Sequence, residues 1–230
     1  GQPDLDNGLH AIFRSDDGGQ SWQAQLHNSS NDLLSTQLFS YAEGALALSC
    51  DLNSSPWYYS AGWYNQAIAV NPIDPNQVWV AGMEIYRSND GGQSFGLASH
   101  WDALFFNNPD YNGAYVHADQ HALIFHPEYD GSNNKILYAI NDGGMFLTED
   151  DSAPVQTGND AACEPVTDSV QWQSINHNYG TTQFYAGAVF ANGRSYMAGA
   201  QDNGTVYGSD SLGTNGWFAV GGGDGADLVI

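Results

Sequence analysis

The feature that most constrains this chain is a nine-residue segment, RSDDGGQSW at 14–22, which returns as RSNDGGQSF at 87–95. Both copies read Ser-x-Asp-x-Gly-x-Ser-aromatic and follow an apolar run. In such a turn the Asp accepts hydrogen bonds from nearby backbone amides, and the glycines take positive φ. The pattern therefore predicts two hairpin corners, each with an aromatic anchor packed beneath it. The predicted structural residues are Ser15, Asp17, Gly19 and Trp22 in the first corner and Ser88, Asp90, Gly92 and Phe95 in the second.

The corner serine or threonine recurs through the chain at spacings of 73, 60 and 61 residues, namely Ser15, Ser88, Thr148 and Ser209. Repeats that form a four-stranded unit usually take about 40–50 residues. Because the spacings here are longer, each repeat must include a loop insertion. Three polar insertions fit, at about 27–64, 101–116 and 150–170. Short β-rich runs lie between Gly, Pro, Asn and Asp turns, and no stretch has a helical period. The sequence predicts strands throughout.

The corner pattern resembles the Asp-box, or BNR repeat, of sialidases, sortilins and xyloglucanases. That resemblance implies an all-β fold, a β-propeller of four-stranded antiparallel blades. About four blades are expected, as a partial ring: the last two strands of one at 9–30, then 64–100, 117–176, 181–220, and the start of another at 224–230. Because so few blades do not close a typical ring, we expect the remaining blades to come from the same longer chain or from another chain.

The charge of the chain is strongly negative, with 26 acidic residues against four Lys and Arg and a formal net charge of −22. Such a surface repels nucleic acid and anionic membranes, so neither is expected as a partner. No apolar run reaches the roughly 20 residues that span a bilayer, so membrane insertion is not expected. The acidity suits a secreted or cell-surface protein in a saline or calcium-containing exterior, or serves only to keep such a protein soluble.

The two cysteines, Cys50 and Cys163, both lie in polar insertions. A disulfide between them is expected if the protein is extracellular, with two free thiols as the alternative. Acidic turns at 4–8 and 149–151 offer oxygen ligands for calcium, although neither matches a complete twelve-residue calcium loop. No other cofactor is predicted.

In a propeller the loops opposite the corners share one rim, and a polar pocket there is the default binding site. The residues predicted to line it are His117, Asp119, His121, Gln183 and Gln201, with Trp63 and Trp101 as rings from the insertions, and Glu84 in one of the turns. His117, Asp119 and His121 alternate, so an extended chain would point them the same way, to hold a metal or to pair imidazole with carboxylate. The alternative is a hydrogen-bonded network that orders the following strand.

Two aspartates, Asp142 and Asp202, occupy matching turns in neighbouring blades. Xyloglucanase-like propellers carry a catalytic aspartate in a strand–Asp-x-Gly-Gly–strand turn; the run 136–146 resembles it, which implies that role for Asp142. Inverting hydrolysis needs a second carboxylate about 6.5–9.5 Å away, for which Asp119, Asp202 and Asp224 are candidates. Asp-Gly and Asn-Gly are also ordinary hairpin turns, so a purely structural role stays open.

A sialidase is disfavoured. Sialidases carry an Arg-Ile-Pro segment and three arginines that hold the substrate carboxylate. This chain has no Arg-Ile-Pro segment, and two of its three arginines, Arg14 and Arg87, immediately precede the corners, away from the predicted rim. Its net charge also repels anionic sugars. Five further motifs lie within 117–227, in the order His-x-Asp-x-His-Ala, Asn-Asp-Gly-Gly, Thr-Gln-Phe-Tyr, Gln-Asp-Asn-Gly and Gly-Gly-Asp-Gly. In this combination the segment resembles secreted bacterial sortilin-like BNR proteins. We therefore expect a secreted acidic binding or scaffold module with a protein or polysaccharide ligand. The alternatives are a glycoside hydrolase acting on a neutral polysaccharide, and a structural subunit completed by another chain.

Overall fold

The computed structural model describes residues 10–27, 62–101, 113–158, 161, 169–177, 182–225 and 228. Fourteen strands make up the regular structure of these residues: β1 Ala11–Arg14, β2 Gln23–His27, β3 Ala67–Val70, β4 Val78–Ala81, β5 Ile85–Ser88, β6 Gly96–Leu97, β7 Gln120–Phe125, β8 Leu137–Asn141, β9 Gly144–Thr148, β10 Gln173–Ser174, β11 Phe184–Val189, β12 Ser195–Ala200, β13 Gly204–Ser209 and β14 Phe218–Gly221. In the part of the chain that is described, no helix is long and apolar enough to cross a bilayer.

The chain forms two compact units, Gly1–His177 and Asn178–Ile230. Unit 1 contains the pair β1-β2 and two four-stranded sheets, β3-β4-β5-β6 and β7-β8-β9-β10. Unit 2 contains one four-stranded sheet, β11-β12-β13-β14. Every neighbouring pair is antiparallel and consecutive in the chain, which is the up-and-down order of a propeller blade. The predicted fold class, all-β with four-stranded antiparallel blades, is confirmed.

The strands follow the sequence pattern closely. β8 alternates buried and half-buried side chains, as expected for a strand with two unlike faces. β4, VWVA, is buried at all four positions because sheets pack on both of its faces. The apolar runs of the sequence predict strands at 66–70, 77–81 and 195–200. β12 has the last of these bounds, and β3 and β4 each begin one residue later than predicted.

Two apolar clusters hold unit 1 together. The larger contains Trp79, Ile85, Leu137 and Trp172 and lies between the second and third sheets. The Trp79 and Trp172 rings meet edge to face with centroids 6.2 Å apart, and the Trp172 indole N–H donates to the Ala98 carbonyl at 2.7 Å. The smaller cluster joins Ile12 of β1 and Leu26 of β2 to the second sheet. Each sheet therefore buries the face of its neighbour, as stacked blades do.

Both corners form the same local hydrogen-bond network. In the first, the Ser15 hydroxyl donates to Asp17 Oδ1 at 2.8 Å, and Asp17 accepts the amide and hydroxyl of Ser21 at 2.9 and 2.6 Å. In the second, the Ser88 hydroxyl donates to Asp90 at 2.7 Å, and Asp90 accepts the amide and hydroxyl of Ser94 at 2.9 and 2.5 Å. The paired glycines of both corners take positive φ, from 72° to 97°. The predicted turn geometry is present in both copies.

The two aromatic residues that end the corners differ in burial. Phe95 is 8% exposed and packs in the smaller cluster, as predicted for an anchor. Trp22 is 64% exposed, and its indole N–H donates to the Gly19 carbonyl of its own turn at 3.2 Å. The anchor prediction is therefore wrong for Trp22. β1 and β2 cover the second corner, whereas among the described residues no sheet covers the first.

The third and fourth repeats keep only parts of this network. At the third, Thr148 Oγ1 accepts the Asp150 amide at 3.3 Å, and Asp150 accepts the Ser152 hydroxyl at 2.5 Å. At the fourth, the Ser209 and Ser211 hydroxyls lie 2.9 Å apart. The spacing of the corner serine and threonine thus marks the same hairpin position in all four sheets.

Candidate functional site

Three segments of unit 1 come together beside the β8–β9 turn, and we call the five residues that join them the rim cluster. The segments are 62–65, residues 119–121 at the start of β7, and the turn itself. The rim cluster consists of Tyr64, Asn65, Asp119, His121 and Asp142. Asp119, His121 and Asp142 were predicted to share a rim, and the structure brings them into one constellation.

Asp142 is held by two side chains from two different segments. The Tyr64 hydroxyl lies 3.0 Å from each of its carboxylate oxygens, and His121 Nε2 lies 2.6 Å from Oδ1. The Tyr64 and His121 rings meet edge to face, with centroids 5.0 Å apart. The carboxylate is therefore oriented before any ligand arrives, yet it keeps partial access to solvent.

Asp119 takes a left-handed backbone conformation, with φ of 61°. Its carboxylate accepts a hydrogen bond from the Asn65 side-chain amide. Burial raises the pKa of Asp119, the Asn65 hydrogen bond acts to lower it, and the charge of Asp142 raises it further. Two carboxylates with unlike environments thus lie close enough to influence each other.

The left-handed residue corrects the expected geometry of 117–121, because a positive φ interrupts the extended chain. His121 faces Asp142, whereas His117 Nδ1 lies 3.1 Å from the Ala118 carbonyl. The His117 side chain also packs so closely on Gly143 that a Cβ at that position would overlap it. Among the described residues no group of three or more His, Cys, Asp or Glu side chains is arranged to hold a metal ion.

A buried layer of amides supports the rim cluster from behind. The Asn141 side-chain N–H donates to Gln120 Oε1 at 3.1 Å, and Asn141 Oδ1 accepts the Gly143 amide at 3.0 Å. The Gln120 side chain donates to the His117 carbonyl, and the Gln120 backbone N–H donates to the Gly82 carbonyl at 2.9 Å. These bonds fix the β8–β9 turn against the chain entering β7. Sequence reasoning missed Gln120 and Asn141 as supports.

Of the two tryptophans predicted to line the rim, only Trp63 is well exposed. Its ring is 75% exposed and lies 5.5 Å from the Tyr64 ring. Trp101 is half-buried, and its amide donates to Glu84 Oε1 at 2.8 Å. Glu84 is itself buried and also accepts the Ser99 hydroxyl at 2.5 Å. Glu84 therefore orders the chain after β6, a structural role that the turn assignment did not indicate.

The predicted site residues of unit 2 lie at one end of its sheet. The Gln201 amide donates to the Gln183 carbonyl at 2.9 Å, and the Asp202 amide donates to Asp224 Oδ1 at 2.9 Å. Asp202 has φ of 56°, so the Asp224 carboxylate caps a left-handed turn. The Asp224 carboxylate thus has a structural use in this unit.

Unit 1 also contains a buried polar network that the sequence did not indicate. Asp151 is 1% exposed; its Oδ2 accepts the Tyr129 hydroxyl at 2.9 Å, and its backbone carbonyl accepts the Gln77 side-chain N–H at 3.1 Å. The Arg87 guanidinium donates to the Asp151 and Ala153 carbonyls and lies over the Trp79 ring. Burial raises the pKa of Asp151, and burial together with the Asp151 hydrogen bond raises the pKa of Tyr129 to about 12. The network joins the second sheet to the third.

The calcium prediction at 149–151 does not fit these contacts, because the carboxylates of the turn have separate partners. Asp150 Oδ1 lies 3.2 Å from Lys135 Nζ, while Asp151 faces Tyr129. The other predicted calcium turn at 4–8 lies outside the described residues, as do Cys50 and Cys163. Of the predicted start of another blade at 224–230, only positions 224, 225 and 228 are described.

The fold and strand order define an all-β chain built from propeller-type blades. Among solved structures, the chain is similar to an ancestral GH74 enzyme, at 13% identity and a TM-score of 0.34, over 95% of this chain and 24% of the enzyme. It is also similar to YCF48 from Cyanidioschyzon merolae, at 16% identity and a TM-score of 0.23, over 91% of this chain and 66% of that one. The chain thus spans about a quarter of the length of the GH74 enzyme. No protein-family model and no curated protein matches the sequence.

Proposed function

We propose that this chain is part of a secreted or cell-surface β-propeller, of the Asp-box type, that acts as a binding module through the rim cluster. The observation that carries the proposal is the meeting of three chain segments at Asp142. Tyr64 and His121 orient that carboxylate, and the exposed Trp63 ring adjoins Tyr64. An oriented polar group beside an exposed ring is the usual composition of a recognition site.

The charge of the chain supports a location outside the cell. A net charge of −22 keeps a protein soluble in saline surroundings and disfavours contact with nucleic acid. The two matching corners support the Asp-box assignment, because their Ser, Asp and Gly residues make the same contacts in both copies.

The test is a binding screen of the purified chain against immobilised neutral polysaccharides and extracellular proteins. The parent is compared with Trp63→Ala and with Trp22→Ala, which removes a similarly exposed indole from the first corner. Loss of a ligand in Trp63→Ala but not in Trp22→Ala supports the proposal. Equal retention by both variants places binding elsewhere and contradicts it.

A glycoside hydrolase is the second candidate, because the environments of Asp119 and Asp142 differ. A carboxyl of raised pKa suits a general acid, and a carboxylate held by Tyr64 and His121 suits a base. Hydrolysis of a neutral polysaccharide by the parent, lost in Asp142→Ala, would support this candidate. Absence of hydrolysis in the parent across a panel of such polysaccharides would remove it.

A structural subunit completed by another chain is the third candidate. A cavity of about 290 Å³ lies between β1 and β3, lined by Ala11, Ile12, Phe13, Gln66, Ala67, Ile68, Val80 and Ala81. In the described residues β1 pairs with β2 alone, so its other edge has no strand partner among them, and such an edge can pair with another chain. Sedimentation of the purified chain as a stable oligomer would support this candidate, and a monomer at all concentrations would count against it.

A further inference from the structure

We infer that the rim cluster receives the ammonium group of a lysine side chain carried by a basic segment of a protein partner. The inference rests on the proposed binding function and names the chemistry of its ligand. It depends on the charge balance, the exposed rings and the way Asp142 is already engaged.

Within the described residues of unit 1, neither rim carboxylate has a Lys or Arg as an ion-pair partner. In unit 1, Arg14 pairs with Asp16 at 2.8 Å and Lys135 pairs with Asp150 at 3.2 Å. Arg87 donates to carbonyls of the buried network. Among the described residues of this unit, no Lys or Arg ion pair therefore reaches Asp119 or Asp142. A cationic ligand would relieve the repulsion between these two carboxylates.

An exposed aromatic ring, Trp63, adjoins Tyr64, which contacts Asp142. The Trp63 ring is 75% exposed, and the Tyr64 ring beside it is held by contacts with Asp142 and His121. Asn65, the next residue, donates to Asp119, so this segment is attached to both carboxylates. An ammonium group over the face of an indole is attracted by the ring quadrupole. The exposed indole and the oriented carboxylate are thus linked through Tyr64, which contacts both.

The existing hydrogen bonds of Asp142 favour lysine over arginine as its partner. A guanidinium binds best to a carboxylate that presents both oxygens to its planar fork. Asp142 Oδ1 is already 2.6 Å from His121, and the Tyr64 hydroxyl lies between the two oxygens. A compact ammonium needs only one remaining lone pair. The rim therefore fits a point charge better than a fork.

The exposure of the rings and the charge of the chain favour a protein segment over a small amine. Small-ligand sites usually enclose most of their ligand, whereas the rings here are open to solvent. An open site on a chain of net charge −22 attracts basic surfaces over long range. A lysine presented by a basic segment matches both the openness and the charge.

Calorimetric titration with defined peptides tests the inference. The probe is an acetylated, amidated peptide with three lysines separated by glycines, and its counterparts carry norleucine or arginine at the same positions. The parent is compared with Asp142→Asn, Trp63→Ala and the control Asp16→Asn, which makes the same charge change on the first corner. Circular dichroism checks that each variant folds, and Tyr64→Phe replaces Asp142→Asn if that variant does not.

We expect the lysine peptide to bind the parent, the norleucine peptide not to bind, and the arginine peptide to bind more weakly. Asp142→Asn and Trp63→Ala should each weaken binding about tenfold, while Asp16→Asn should change it by less than about twofold. An equal loss in Asp16→Asn would show general charge attraction and overturn the inference. No binding of the lysine peptide would also overturn it.

The two proposals fail separately in this design. If the lysine peptide does not bind but a neutral polysaccharide binds in a Trp63-dependent way, the ammonium inference is wrong and the binding function stands. If neither binds and the protein screen also shows no Trp63-dependent ligand, both proposals fall.

Discussion

The two corners share one hydrogen-bond network but sit in different surroundings. Asp17 and Asp90 accept the same amide and hydroxyl bonds from a serine four residues on. The second corner is covered by β1 and β2, where Ile12 and Gln25 lie against Gly92. The first corner is exposed at every position from 16 to 22. The hydrogen bonds of the turn motif therefore form locally, whereas neighbouring sheets supply the burial of a corner.

The difference shows that the motif is a folding device whose stabilising effect depends on its neighbours. Its hydrogen bonds close within seven residues and need no partner sheet. Burial of the final ring, by contrast, needs a second sheet to supply apolar surface. Matched substitutions in the two corners therefore separate the local hydrogen bonds from burial.

The largest expected difference is between the two aromatic residues. Phe95→Ala should lower the free energy of unfolding by about 3–5 kcal/mol, because a buried ring leaves a cavity. Trp22→Ala should change it by less than about 1 kcal/mol, because the ring is 64% exposed. Urea denaturation followed by circular dichroism measures both. Equal losses would mean that the first corner is covered in solution.

A smaller difference is expected between the two aspartates. Asp90→Ala should cost about 1–3 kcal/mol, because it removes the acceptor of the Ser88 and Ser94 bonds at a half-buried site. Asp17→Ala removes the equivalent bonds at an exposed site where water can replace them. It should therefore lower the free energy of unfolding by less than Asp90→Ala does. Asp16→Ala serves as a control for charge, since its exposed pair with Arg14 adds little. If Asp17→Ala destabilised more than Asp90→Ala, the role given to burial would be wrong.

The glycines test packing between the sheets. Gly18 and Gly91 have φ of 72° and 77°, so alanine at either site brings backbone strain of about 1–2 kcal/mol. A Cβ at Gly18 would meet open space, whereas a Cβ at Gly91 would overlap the Arg14 guanidinium. Gly91→Ala should therefore lower the free energy of unfolding more than Gly18→Ala does. The difference should be less than about 1 kcal/mol, because the Arg14 side chain can shift. Thermal unfolding of both variants in parallel provides the comparison.

The smallest expected effect is a difference in acid sensitivity. Hydrogen bonds from the Ser21 hydroxyl, the Ser21 amide and the Ser15 hydroxyl lower the pKa of Asp17 from 3.8 to about 2. The stabilisation by Asp17 is therefore present above pH 3.8 and is lost as the pH falls towards 2. At Asp90 burial acts to raise the pKa, but hydrogen bonds from Ser94 and Ser88 outweigh it, so the pKa of Asp90 is also lowered. In unfolding measurements from pH 5 to 2, each Asp→Asn variant should lose stability less steeply than the parent.

Asp119 supplies a control of opposite sign for that experiment. Its pKa is raised, chiefly by burial, so its contribution is present below the unfolded value of 3.8 and is lost as the pH rises through the folded value. Asp119→Asn should therefore gain stability relative to the parent as the pH rises above 4. A pH-independent difference between the two proteins would show that Asp119 is solvated like a surface carboxylate.

The local parts of this protein follow from its sequence alone. The corners follow from Ser, Asp and Gly at fixed spacing, because their hydrogen bonds close within a single turn. The strands follow from short apolar runs between turn residues, and the placement of Asp142 and His121 near one rim follows from the order of loops in a blade. The distant residues that complete each site depend instead on tertiary packing. Tyr64 reaches Asp142 across 78 positions and Asn65 reaches Asp119 across 54, while Asp151 is buried by a neighbouring sheet. Such contacts depend on how the sheets pack, and the spacing of residues along the chain does not indicate that packing.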